Sequence, residues 1–220
     1  MFKLKVLLIV LIAVLLSACS ENSTEPDTSN FSVSFGVDNT LPKLNVESIE
    51  LTSVKILIRS LKLNAAGEDT INVRTEPFVV ELDLSGDVHE VAKANIPDQS
   101  YDKIKFEIHK PDSGETPPDP DFTDDTNRYS VVVNGFMDGV EFTYKSMKSV
   151  HQIVHLDDPV GLDENGILNV TLVVSPIDWF MKGGEFLDPT NSRDAKEIDD
   201  LMKDSFNRAF RDNNMDGMPD

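Results

Sequence analysis

Tyr101-Asp102-Lys103-Ile104-Lys105-Phe106-Glu107-Ile108-His109 alternates residue by residue. Ile104, Phe106 and Ile108 fall on one side of an extended chain; Lys103, Lys105, Glu107 and His109 fall on the other. Side chains of a strand point alternately to its two faces, so this period predicts a half-buried strand with one wet face. Val80, Leu82 and Leu84 alternate with Glu81 and Asp83 in the same way, and Leu168, Val170, Leu172 and Val174 repeat the pattern. Further strands are expected over 31–37, 46–64, 88–95, 129–136, 139–146 and 149–156. Ala66-Gly67-Glu68, Ser85-Gly86-Asp87, Asp138-Gly139 and Glu164-Asn165-Gly166 supply the turns between them. Strands of this kind without intervening helices predict a mainly β body. The expected architecture is an antiparallel β-sandwich, with a rolled sheet or barrel as the alternative.

Val79-Val80-Glu81-Leu82-Asp83-Leu84, the Ile96-Pro97 turn and Tyr101-Asp102-Lys103-Ile104-Lys105-Phe106 carry a resemblance over about residues 45–175. This stretch resembles uncharacterised bacterial envelope lipoproteins with a transthyretin-like or immunoglobulin-like sandwich. The resemblance implies architecture and little about activity, because function resides in sites rather than in folds.

The N-terminus gives an address. Lys3 and Lys5 precede an apolar run from Val6 to Leu16, and Leu16-Ser17-Ala18-Cys19 follows. A basic start, an apolar stretch too short to span a bilayer and small residues before a cut site read as a signal peptide over 1–18. The tetrapeptide resembles the lipobox of bacterial lipoproteins, which implies a diacylglycerol thioether on Cys19 and an acylated new amino end. Two or more acyl chains anchor stably where one does not. Ser20 in place of Asp implies the outer membrane, by the same resemblance. Glu21, Glu25 and Asp27 are similar to surface-export signals, so both a periplasm-facing and a surface-exposed body fit. Residues 19–30 read as a lipidated flexible tether.

Thirty-nine acidic and twenty basic side chains give a formal charge of −19. Such a field repels phosphate backbones and excludes nucleic acid as a natural partner. Divalent cations, an envelope protein or a glycan suit it better. Cys19 is the single cysteine, so neither a disulfide nor a cysteine nucleophile is available once it carries lipid.

Residues 31–190 are expected to form the sandwich. Within them, 111–127 hold Pro111, Pro117, Pro118 and Pro120 among six acidic residues and read as a long exposed loop. Trp179, Phe180, Met181, Phe186 and Leu187 form an aromatic and apolar cluster, read as a plug for one end of the body or as a sugar platform. Residues 191–220 are expected to form a separate C-terminal helix and acidic loop. Ala195, Ile198, Leu201, Met202, Phe206, Ala209 and Phe210 make one stripe of an amphipathic helix over 192–211, with Ser192 as N-cap.

The chemical motif lies in Asp212-Asn213-Asn214-Met215-Asp216-Gly217-Met218-Pro219-Asp220. Asp212, Asn214, Asp216 and Asp220 offer side-chain oxygens at positions 1, 3, 5 and 9, Met218 offers a carbonyl at position 7, and Gly217 permits the sharp turn at position 6. Calcium takes six to eight hard oxygens, and alternate positions of a tight loop supply them. The segment resembles the calcium loops of EF-hands, dockerins and thrombospondin type 3 repeats, which implies calcium as cofactor. It departs from the EF-hand at position 12, where the bidentate Glu is missing. The terminal carboxylate, the acidic loop 111–127 or Asp157-Asp158 are the candidates to complete the shell.

No Gly-x-Ser-x-Gly elbow, His-Glu-x-x-His or phosphate-binding glycine loop occurs. His151 and His155 lie four apart on an expected strand, roughly 13 Å from each other at ~3.3 Å per residue, too far to share a metal. The reading that follows is a lipid-anchored, non-enzymatic envelope protein with a binding, adhesion or assembly role, stabilised by calcium. The alternative is a carbohydrate-binding or carbohydrate-processing accessory lipoprotein.

Overall fold

A computed structural model of the chain describes residues 28–38, 49–67 and 69–220. The signal segment, Cys19 and most of the tether lie outside the described residues. Among the described residues the chain is mainly β, with one curled mixed sheet, a two-stranded ribbon and one α-helix. In chain order the elements are β1 (Phe31–Val37), β2 (Ile49–Ala65), β3 (Thr70–Arg74), β4 (Phe78–Glu81), β5 (His89–Ala94), β6 (Tyr101–Ile108), β7 (Val131–Met137), β8 (Val140–Ser146), β9 (Val150–Val160), β10 (Leu168–Val174), β11 (Met181–Lys182), β12 (Glu185–Phe186), α1 (Ala195–Asp204) and β13 (Arg208–Arg211).

The seventeen residues of β2 span roughly 55 Å at ~3.3 Å per residue, which lets one strand hold four partners. Its first half pairs with β7 and its second half with β6; β4 and β3 take the opposite edge. The sheet runs β5-β1-β10-β13-β9-β6-β2-β7-β8, with β3 and β4 beside β2. Asp138 (φ 53°) and Gly139 (φ 78°) form the two-residue turn between β7 and β8, since both central residues there need positive φ.

Strand direction departs from the expectation. β1 pairs with β10 in parallel across seven residues, and β13 meets β9 in parallel at Ala209 and Leu156. Alternation reports which face a side chain takes, not which way its neighbour runs, so a purely antiparallel sheet did not follow from it. Parallel neighbours need a long connection, and here most of the fold separates β1 from β10.

The expected helix over 192–211 is also shorter. α1 ends at Asp204, and residues 208–211 form β13, inserted between β10 and β9. Ala209 and Phe210 are both buried there, so two adjacent apolar residues that fit a helical stripe instead fill the two faces of a central strand. Asp194, rather than Ser192, precedes the helix, and its side chain makes no capping bond.

The core joins sheet to helix through aromatic rings. Phe35 meets Phe106 at 6.1 Å, Phe106 meets Phe206 at 5.4 Å, and Phe206 meets Trp179 at 6.3 Å between centroids. Edge and tilted pairs of this kind add to the area they bury. Ile198 and Met202 bury the inner side of α1. Asp199 on the same helix accepts from Tyr144 Oη at 2.8 Å and Ser146 Oγ at 2.6 Å. Burial, reinforced by the Asp199 charge, pushes the Tyr144 hydroxyl well above its ordinary pKa.

Gly135 tests the close approach of β7 to β2. A Cβ there would lie 2.3 Å from the backbone oxygen of Glu50, whereas a Cβ on Gly67 meets nothing within 4 Å. Gly135→Ala is expected to cost about 1–3 kcal/mol in urea denaturation, as overpacking does. Gly67→Ala should stay within ~0.5 kcal/mol of wild type.

Candidate cation-binding sites

The C-terminal loop closes on the sheet through one buried carboxylate. Asp212 is 0 % exposed. Its Oδ2 accepts from Thr171 Oγ1 at 2.8 Å and from the Gly217 amide at 3.0 Å, while Oδ1 accepts from the Asp216 amide at 3.0 Å. Asn214 Oδ1 also accepts from the Asp216 amide, and Asn214 Nδ2 donates to Asp216 Oδ2 at 3.1 Å. Asp216 Oδ1 in turn accepts from the Met218 amide at 2.9 Å. The structure therefore brings Asp212, Asn214 and Asp216 into one hydrogen-bonded loop, turned at Met215 (φ 56°) and Gly217 (φ 80°).

Asp220 folds back onto the start of that loop. Its Oδ2 accepts from the Asn213 amide at 2.7 Å and lies 3.7 Å from Arg211 Nε. The Met218 side chain is largely exposed. The segment beside this loop is the turn at Glu164-Asn165-Gly166, which the sequence marks as a turn and not as a ligand. Asn213 Nδ2 donates to Asp163 Oδ2 at 3.2 Å, and Asp163, Glu164, Asn165, Asn213, Asn214 and Asp220 help line a cleft of about 410 Å³. Residues 111–127 and Asp157-Asp158 do not line it.

The proline-rich segment is less solvated than its composition predicts. Phe122 is fully buried against Leu57, Tyr129 and Val132, a small apolar cluster of its own. Lys55 Nζ holds Asp119 and Asp121 at 2.8 Å each, and these hydrogen bonds raise its pKa further above the lysine range. Asp124 is bound by the Tyr129 hydroxyl and by the Thr126 and Asn127 amides, which hold its carboxyl far down. An apolar anchor and an ion pair thus pin 119–129 to the outer side of β2 and β7.

His109 is the other departure. The alternation places it on the wet face, yet it is only 2 % exposed. The chain turns at Gly114 (φ 88°) and brings Asp112 and Glu115 back over the ring. His109 Nε2 lies 3.0 Å from Glu115 Oε2, and the Asp112 amide donates to the same oxygen at 2.7 Å. Arg59 pairs with Asp112 and lies 3.6 Å from Glu115 and 3.8 Å from Glu107. The ligand atoms of His109, Asp112 and Glu115 lie within 4.8 Å of one another, so these three side chains can hold a metal ion. The spacing His-x-x-Asp-x-x-Glu across Pro111 and Gly114 is the signal that marks them.

His151 and His155 lie exposed on β9, two positions of one outward face. Trp179 is 0 % exposed and donates from Nε1 to Ser205 Oγ at 2.8 Å. It belongs to the core and offers no ring to a sugar.

No family model matches the chain, and no curated protein matches it. Among solved structures it is similar to MbnP from Methylosinus trichosporium, at 10 % identity and a TM-score of 0.36, over 66 % of this chain and 74 % of that one. A likeness this distant transfers no property.

The Glu115 carboxyl is held below the ordinary glutamate range, first by its bond to His109 and then by the Asp112 amide. A depressed folded-state pKa contributes stability above the unfolded value and loses it as pH falls. Glu115→Gln should therefore be less stable than wild type at pH 7. The gap should close below about pH 4, the range where free glutamate protonates, in parallel denaturant titrations.

Proposed function

We propose that this is a lipid-anchored, non-enzymatic protein of the bacterial cell envelope, whose β body serves binding, adhesion or assembly and whose C-terminal loop takes calcium. The address is supported by the basic start, the apolar run and the lipobox at Cys19. In this reading residues 19–30 lift the body from the outer membrane. The curled sheet closes as a two-layer sandwich through β2, which trades β7 for β6 along one edge.

One observation carries the calcium reading. Asp212 is a fully buried carboxylate, and among the described residues no side-chain cation is paired with it. Burying a charge is costly unless it is neutralised or well hydrogen-bonded. Three donors meet Asp212, against roughly four acceptor positions on a carboxylate. Asn214 and Asp216 lie exposed at the rim of the loop, and the Asp216 amide is shared by Asp212 Oδ1 and Asn214 Oδ1, so a hard cation would find their oxygens beside the buried carboxylate. Asp163, bonded to Asn213 and lining the same cleft as Asp220, is a further candidate ligand.

Calorimetry on the full chain should show one calcium bound with Kd on the order of 10⁻⁴–10⁻³ M, the range of extracellular calcium modules. At tenfold excess over Kd, calcium should stabilise the fold by about 1.4 kcal/mol. Asp216→Ala should abolish both effects; no heat at ~10 mM calcium, well above that range, would sink the reading. The address is tested separately, since Cys19→Ser should move the protein from the membrane to the soluble fraction of cells.

A further inference from the structure

We propose that His109, Asp112 and Glu115 form a second cation site, specific for a divalent transition metal of the zinc class, with Glu107 orienting the imidazole and Arg59 standing in for the metal when it is absent. It shares no residue with the C-terminal loop and does not depend on that loop's function.

The donor set selects the ion. An imidazole nitrogen with two carboxylates suits zinc and its neighbours, whereas calcium and magnesium prefer oxygen alone. All three ligands come from the seven residues 109–115, closed by the hydrogen bond from the Glu115 amide to the Asp112 carbonyl at 3.1 Å. A short segment that already brings its ligand atoms within 4.8 Å leaves little chain to order on binding.

The second ring nitrogen faces a carboxylate, beyond hydrogen-bond distance in the metal-free protein. His109 Nδ1 lies 4.0 Å from Glu107 Oε1. Ligating histidines characteristically present their other N–H to a carboxylate or carbonyl, which fixes the tautomer and raises the basicity of the ligating nitrogen. Without metal, Nε2–H donates to Glu115; on metal binding the ring would carry its proton on Nδ1, facing Glu107, and Nε2 would turn its lone pair to the ion beside Glu115 and Asp112.

Charge balance points the same way. Glu107, Asp112 and Glu115 face one guanidinium, that of Arg59, so with neutral His109 the cluster carries two net negative charges. Arg128 acts on Asp112 only at longer range. A divalent ion neutralises that excess. Arg59 reaches the cluster from a side chain about one-third exposed. It can release Asp112 to the metal and keep Glu107, whereas the buried His109 stays fixed.

The test is zinc calorimetry on the full chain in a Cys19→Ser background, which removes the competing thiol of unlipidated protein. One zinc should bind with a Kd that millimolar calcium leaves unchanged. His109→Ala should weaken it at least 100-fold, Glu115→Gln at least tenfold, and Glu107→Gln about tenfold, as for other carboxylates that orient a ligating imidazole. Arg59→Gln should tighten it, because the competing cation is gone. His151→Ala/His155→Ala and Asp216→Ala should leave it unchanged, which separates this site from surface histidines and from the calcium loop. Copper(II) in place of zinc should show nitrogen hyperfine coupling that disappears with His109→Ala. If His109→Ala fails to fold, Glu115→Gln and the Arg59→Gln gain decide the matter. Absence of zinc binding in the parent chain, or binding undiminished by Glu115→Gln, overturns the proposal.

Discussion

The buried carboxylate of Asp212 sets the constraint around which one side of this molecule is organised. It reaches Thr171 on β10, and Asn169 Nδ2 donates to the Asp212 carbonyl at 2.7 Å. Asn169 Oδ1 in turn accepts from Ser32 and Ser34 on β1, at 2.8 and 2.9 Å. A polar chain thus runs from β1 through β10 into the C-terminal loop. A one-residue slip of either strand would send these groups into the apolar core. Each group left unpaired would cost about 1–3 kcal/mol. The parallel register of β1 against β10 is therefore specified by polar groups on one face as well as by apolar ones on the other.

That chain also explains where sequence reading stopped. The alternation at 101–108 and 168–174 gave the strands and their core faces, and Asp138-Gly139 gave the hairpin, because period and turn chemistry are local. What covers the other face is not local. Asn169 and Thr171 sit where a wet face was expected, yet both are buried because β1 serines and residues 212–213 pack over them. His109 is buried for the same reason, under a turn that begins three residues later. Ala209 and Phe210 keep a helical spacing but take sheet positions, because the gap between β10 and β9 accepts a strand buried on both faces, and Phe206 packs from the link between α1 and β13. In each case the local pattern reports whether a residue is apolar or polar, and the tertiary fold decides what covers it.

The candidate sites were legible to unequal degrees. Three members of the C-terminal loop, Asp212, Asn214 and Asp216, share a motif of contiguous residues, and the loop's own amides assemble them. Asp220 holds position 9 of the same motif and meets Asn213 as the chain folds back, whereas Asp163 joins from a separate turn, which spacing alone cannot indicate. The histidine cluster depends still more on tertiary structure, since Arg59 and Glu107 reach it from β2 and β6.

The acidity of the chain has a structural answer before it has a functional one. With roughly two carboxylates for every basic side chain, ion pairing cannot serve them all. Backbone amides and hydroxyls take the role instead. Asp83 accepts from the Ser85 hydroxyl and amide and from His89, and its pKa falls to about 2. Asp163 is lowered chiefly by the Ile167 amide, and Asp188 by the Thr190 hydroxyl. Each of these sits in a turn whose N–H groups would otherwise lack partners, so one acceptor both closes the turn and is held ionised. Asp212 closes the C-terminal loop with the same kinds of donor, and among the described residues it is the buried carboxylate. Solvated loop aspartates are complete without a cation; a carboxylate with amide donors but no solvent is the one for which a bound divalent ion changes the energetics most.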